Sequence, residues 1–234
     1  MKYYKIKLQR NFENDMIATN ACGDYVEKGE LYFRQIEEEL LLESPPVFDY
    51  FFLKSFDKKK YWEWILCDVH RFIGGGSRMN TGSFFVSPLL KELLESVKLA
   101  KPYLFYPSKL KYKGVKVGRY IFHYFGEKII EEKMTYVDFQ SSSICCTTNN
   151  RQVQIKDITE YLKVDEEIGE ATDYDNGLKV KKLMLKDELD LYFIGYIGCG
   201  MIASDRFRKK VESEGIIGFE FHELDYEVVV KSEA

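Results

Sequence analysis

"LYFIGYIGCGMIASDRFRKKVESEGIIGFEF", residues 191–221, is the stretch on which the reading of this chain turns. An apolar run leads into Gly198-x-Gly200-x-x-Ala203, then Ser204-Asp205, then a charged stretch with apolar residues at Phe207 and Val211, then a second apolar run. Two readings compete. In the first, the glycines form a dinucleotide-binding turn, where backbone approaches a pyrophosphate at a helix N-terminus and Glu220 follows at the end of the next strand. In the second, Ser204 caps a helix that packs beside two strands. Ser204-Asp205 is the better cap, so a helix is predicted over 205–213, after the glycines. That helix has only about two and a half turns at 3.6 residues each, short for a crossover. The capped helix is therefore the main reading; the alternatives for the chain are an enzyme that binds a nucleotide through Gly198-x-Gly200-x-x-Ala203, or a scaffolding domain.

A similar unit lies upstream. Ser87-Pro88 pairs a capping hydroxyl with a proline at the first helical position, and Leu90, Leu93, Leu94 and Val97 continue at helical spacing toward Ala100. At a separation of 117 residues Ser87 matches Ser204, Leu90 matches Phe207, Lys91 matches Arg208, Leu94 matches Val211, Glu95 matches Glu212 and Ser96 matches Ser213. Each copy follows one apolar run and precedes another, as expected of a helix whose apolar stripe docks on a sheet.

Between and around these units the pattern is mostly that of strands. Residues 2–8 alternate Tyr4, Ile6 and Leu8 with Lys5 and Lys7. Further strands are predicted over 47–53, 61–69, 103–106, 116–125, 134–139, 143–147, 152–155, 179–185, 190–197, 217–222 and 226–230. A helix is predicted over 31–42, ended by Ser44-Pro45-Pro46, and a loop runs from Gly74 through Gly82. The expected fold is α+β, a mostly antiparallel sheet with a few short helices and two similar helix–strand units. An N-terminal region of residues 1–82 and a C-terminal region of residues 83–234 are distinguished, and one continuous domain is compatible with the pattern.

Composition narrows the function classes. With 17 Tyr, 17 Phe and 45% hydrophobic residues the chain has the apolar surface that a folded core requires. Its net charge of −4 argues against a nucleic-acid partner, which calls for a basic face. Lysines cluster at Lys58-Lys59-Lys60 and around Lys179, Lys181 and Lys182, patches of ordinary size for a protein surface. The opening "MKYYKIKLQRNF" has no continuous apolar region of the signal-peptide kind. The uncharged run over 191–203 is 13 residues long, short of the roughly 20 that span a bilayer. A cytoplasmic protein without a membrane segment is expected.

Site chemistry is sparse in the sequence. Cys22, Cys67, Cys145, Cys146 and Cys199 are odd in number and irregular in spacing, as for reduced thiols. Cys67-x-x-His70 would supply two zinc ligands, but no second pair has matching spacing. "DYDNG", residues 173–177, places its glycine at position 5 of a calcium loop instead of position 6, with Met184 where the loop needs Glu, so it reads as a turn before a strand. None of His70, His123 and His222 lies beside a nucleophile motif, and His123 in "RYIFHYF" reads as a packed strand residue. No catalytic, cofactor-binding or metal-binding residue is assigned. The acidic stretch 157–175 stands out. Its default reading is a solvated loop or helix face; in the functional alternative Asp165, Glu166, Glu167, Glu170, Asp173 and Asp175 are the candidate partner-binding residues, because such charge would steer a basic protein into contact.

The segment Ser204-Asp205-Arg206-Phe207, a short charged helix, and Gly215-Ile216-Ile217-Gly218-Phe219-Glu220-Phe221 resemble the closing signature of a family of bacterial immunity proteins from polymorphic toxin systems. "FFVSPLLKELLESV", "YLFYP" and "YIFHYF" resemble that family's middle. The resemblance covers residues 83–125 and 190–222. It implies a non-enzymatic α+β protein that binds and neutralises a cognate toxin in the cytoplasm. Ser87 and Ser204 would be helix caps, Leu90 and Phe207 core anchors, and Gly215 and Gly218 turn residues. The resemblance assigns no contact residue.

Overall fold

A computed structural model of the chain describes residues 1–13, 20–22, 51–54, 65–73, 79–123 and 130–231. The helix expected over 31–42, the lysines at 58–60 and the glycines at 74–76 lie outside these residues. So do the parts of the predicted strands at 47–50 and 61–64.

The opening stretch settles into a hairpin followed by a helix. Strand β11 (Leu191–Ile194) turns back through a short 3-10 segment into β12 (Gly200–Ser204), antiparallel to it, and helix α4 (Asp205–Ser213) begins directly afterwards. Ser204 caps that helix, its Oγ accepting from the Phe207 N–H at 3.0 Å, which accounts for a start after the glycines. Phe207 and Val211 are buried. Upstream, β4 (Val69–Ile73) and β5 (Met79–Val86) form the corresponding antiparallel pair. They lead into α1 (Pro88–Glu95), where Ser87 Oγ accepts from the Leu90 N–H at 3.0 Å. Strand β5 crosses the 82/83 line drawn from the sequence, so residues 79–82 are strand instead of loop.

Around these units the described strands form three sheets. The first has the order β11-β12-β1-β13, where β1 is Tyr3–Leu8 and β13 is Phe219–His222, and every neighbour is antiparallel. The second is a closed barrel of order β2-β3-β6-β7-β5-β4, with β2 (Asn20–Cys22), β3 (Phe51–Lys54), β6 (Leu104–Tyr112) and β7 (Val115–His123). The third has the order β14-β10-β8-β9, from β8 (Ser143–Cys146), β9 (Gln152–Val153), β10 (Leu178–Leu185) and β14 (Glu227–Val230). Among the described strands the parallel ladders are β10–β14, β2–β4 and β3–β6, beside one isolated parallel bridge from Leu99 to Leu191, so the architecture is α+β with mostly antiparallel sheet.

Period-two alternation sorts side chains between two cores. From the first sheet Tyr3, Tyr192, Ile194 and Ile202 enter a cluster with β10 and with α3 (Ile158–Ala171). From its other face Ile6, Leu191, Met201 and Ala203 enter a second cluster with Leu90, Leu93 and Leu94 of α1 and Phe207 and Val211 of α4. In the barrel, buried Tyr106, Ser108 and Leu110 alternate with exposed Pro107, Lys109 and Lys111, which turns the first three toward its closed interior.

Two local expectations are corrected. Residues 134–139 alternate like a strand, yet α2 (Ile130–Met134) ends there in a turn, and a single isolated bridge, Val137 to Leu185, touches β10. The apolar residues of that stretch, Met134, Val137 and Phe139, are buried without a ladder. Helix α1 also stops short of Ala100. Ser96 closes it by bonding back, its N–H to the Glu92 and Leu93 carbonyls and its Oγ to Leu93 O. Lys98 is then drawn to Asp190, with bonds of 2.7 Å and 2.9 Å.

Candidate functional site

The glycines of residues 198–200 join two antiparallel strands, and the helix starts from Ser204. A dinucleotide turn needs its glycines where a strand passes directly into a helix, and these residues lack that geometry. Gly198 and Gly200 adopt φ of 74° and 72°, which the hairpin requires.

Cys67 and His70 interact through the backbone: the Cys67 N–H donates to His70 Nε2 at 3.0 Å, and both residues are buried. Burial pushes the Cys67 thiol up to about 12, away from the thiolate that metal ligation or nucleophilic attack needs. Cys145 is buried and Cys146 half-exposed on the opposite side of β8, and Cys67, Cys145, Cys146 and Cys199 are free thiols. Among the described residues no group of three His, Cys, Asp or Glu side chains is placed to hold a metal ion. His123 is buried in β7, its pKa lowered to about 4 by burial with a smaller contribution from Lys133.

The acidic stretch forms a helix and the corner after it. Asp157 caps α3, its Oδ1 accepting from the Glu160 N–H at 2.8 Å. Ile158, Tyr161 and Gly169 face the core, which turns Glu166, Glu167 and Glu170 to solvent. The helix ends where Thr172 and Tyr174 donate their backbone N–H groups to the Gly169 carbonyl, at 3.0 and 2.7 Å. Asp173 and Tyr174 both take left-handed backbone conformations, with φ of 50° and 61°. Such conformations are uncommon for residues with a side chain and persist where the surroundings hold them.

The consequence is a presented aromatic. Tyr174 is 73% exposed, yet one edge of its ring lies against Gly169, where an added Cβ would come within 2.9 Å of Cδ1. Exposed Glu170, Asp173 and Asp175 are its sequence neighbours, and Leu162 on α3 is also exposed. Of the six residues singled out from sequence, Glu166, Glu167, Glu170, Asp173 and Asp175 are exposed here. Asp165 is half-buried and accepts from the Leu178 N–H at 2.5 Å, tying α3 to the start of β10. Tyr174 was missed by charge counting. Its signal was the turn chemistry of "DYDNG", which marks residues that tolerate left-handed backbone.

No helix among the described residues is long and apolar enough to cross a membrane. No protein-family model matches the chain, and neither does any curated protein.

Proposed function

We propose that this is a non-enzymatic binding protein of the immunity type, which neutralises a cognate basic toxin in the cytoplasm by non-covalent contact through the α3 corner. The observation that carries the reading is Tyr174, held 73% exposed by two consecutive left-handed residues at the end of an acidic helix. A rigid exposed tyrosine loses little conformational freedom on binding and offers a large amphipathic surface, the character of an interface anchor. The surrounding carboxylates supply long-range attraction, which acts on association rate and specificity more than on final affinity. The resemblance of residues 83–125 and 190–222 to immunity proteins supports the same class, through a scaffold that leaves the α3 corner free for a partner.

The test is co-expression with the toxins encoded beside the gene, followed by binding kinetics. Rescue of growth and a tight complex are expected. Tyr174→Ala should raise the dissociation rate on the order of 10- to 30-fold, the effect of about 2 kcal/mol at an anchor. A combined Glu166→Gln, Glu167→Gln, Glu170→Gln and Asp173→Asn variant should slow association and flatten its salt dependence. No rescue and no complex would reject the immunity reading. A tight complex indifferent to both variants would move the interface elsewhere.

A further inference from the structure

The helix at 88–95 and the helix at 205–213 share more than a cap. Lys91 Nζ lies 5.2 Å from the ring centre of Tyr120, and Arg208 Cζ lies 4.5 Å from that of Tyr4. Lys91 also pairs with Glu95 at 2.6 Å, and Arg208 with Glu212 at 3.9 Å. Tyr120 stands opposite Val86 in the β5–β7 ladder, and Tyr4 stands opposite Ala203 in the β1–β12 ladder. Two positions on, Phe122 faces Phe105 of β6, and Ile6 faces Phe221 of β13. The sheet order β4-β5-β7-β6 thus repeats as β11-β12-β1-β13, with every neighbour antiparallel in both.

The chain order makes this a tandem repeat. Ser87 and Ser204 lie 117 positions apart in a chain of 234. Tyr4 and Tyr120 lie 116 apart, as do Phe105 and Phe221. The first copy therefore runs β1, β4, β5, α1, β6 and the second runs β7, β11, β12, α4, β13. Each first strand sits in the other copy's sheet: β1 lies between β12 and β13, and β7 lies between β5 and β6. The backbone is traded the same way. Asp190, which begins the second copy's hairpin, accepts from the Lys98 N–H at 2.9 Å and donates to Lys98 O at 2.7 Å, just beyond the first copy's helix. Asp68, which begins the first copy's hairpin, accepts from the Ile217 N–H at 2.9 Å and donates to Ile217 O at 3.0 Å, just beyond the second copy's helix.

We infer that the protein is a tandem duplication whose two halves have exchanged their first strands, and that the β6–β7 turn at Lys113-Gly114 is the hinge that keeps the exchange within one chain. That turn is a two-residue hairpin with φ of 48° and 83°, the pairing in which the chain reverses most tightly. If the reversal is prevented, β6 and β7 must run on as one long strand. The second half can then reach only the first half of another molecule, so the occupant that fits each half is the complementary half of a second copy, joined reciprocally.

The test uses the full chain with Lys113 and Gly114 deleted. Light scattering should show twice the chain mass with an unchanged far-ultraviolet circular dichroism spectrum. A folded monomer would overturn the hinge assignment. Because the deletion can also impair folding, a second full-length variant carries a protease site between Lys113 and Gly114. After cleavage the two fragments should migrate as one 1:1 species, and after separation in denaturant they should recover the native spectrum only when mixed. Fragments that part under native conditions, or that each regain the native spectrum alone, would overturn the exchange.

Discussion

Removal of the Asp190 carboxylate should destabilise the fold far more than removal of its counterpart Asp68, although both residues occupy the same place in their repeats. The Asp190 side chain is 3% exposed and accepts three bonds: Ser204 Oγ at 2.7 Å, Arg206 Nε at 2.8 Å and the Lys98 N–H at 2.9 Å. Asp190→Ala leaves a buried hydroxyl and a partly buried N–H without this acceptor. Hydrogen bonds to a charged group contribute about 1.5–3 kcal/mol each when made. The Arg206 share is smaller, because that side chain is 48% exposed and an ion pair in water contributes little. The expected loss is about 3–4 kcal/mol. Asp68 is half-buried and its carboxylate accepts from the Ile217 N–H in a bond exposed to solvent, where water weakens the charged contribution, so Asp68→Ala should cost about 1 kcal/mol.

The assay is urea unfolding followed by circular dichroism, with Tm as a second readout. At roughly 2–4 °C per kcal/mol for a chain of this size, Asp190→Ala should lower Tm by about 10 °C and Asp68→Ala by about 3 °C. Acid sensitivity should change with it. Burial pushes the Asp190 carboxyl up, but the bonds from Arg206, Lys98 and Ser204 outweigh burial and hold it below its ordinary 3.8. A depressed carboxyl contributes stability above 3.8 that is lost as pH falls through the folded value. Asp190→Asn should therefore flatten the stability profile below about pH 4. Equal losses at the two aspartates, or a loss under 1 kcal/mol at Asp190, would refute the claim that this carboxylate joins the halves.

Two further outcomes follow from local geometry. Gly218 has φ of 116°, and a Cβ there would lie 2.9 Å from Val69 Cγ1 and 3.1 Å from Val69 O, whereas Gly215 at φ of 65° opens onto free space. In urea unfolding Gly218→Ala should cost about 2–3 kcal/mol and Gly215→Ala about 1 kcal/mol, strain with and without a clash. His123 is held neutral by burial down to about pH 4, while an unfolded histidine binds its proton near 6.5. Unfolding free energy should thus fall by about 3 kcal/mol as pH drops from 6.5 to 4, a slope that His123→Gln removes in a urea series across that range.

The parts legible in the sequence are those whose causes are local. Ser204 and Ser87 announce their helices because a hydroxyl three residues before an N–H suffices to cap it, and Phe207 and Val211 fall at helical spacing whatever the rest of the chain does. Alternation likewise marks residues 2–8 as a strand. What alternation does not carry is the partner: β1 pairs with residues about 200 positions away, and a strand's pattern is the same beside any neighbour. The stretch 134–139 misled for the related reason that burial alone produces an apolar rhythm, with or without a ladder.

The same distinction explains why the repeat showed in its helices and not in its strands. Cap, stripe and charge pair recur because each is a local requirement of an amphipathic helix, so six positions match between residues 87 and 213. Strands β1 and β7 had only to offer an aromatic beneath a cation and an apolar side chain two residues on. Tyr4 with Ile6 and Tyr120 with Phe122 meet that requirement while the residues between them, Lys5 and Ile121, diverge. Ile121 points into a closed barrel and is buried, whereas Lys5 stands at the half-exposed edge of the other core. The two sheets thus kept one face in common, where both helices dock, and parted on the other, where one sheet closed into a barrel and the other came to support α3 and its acidic corner.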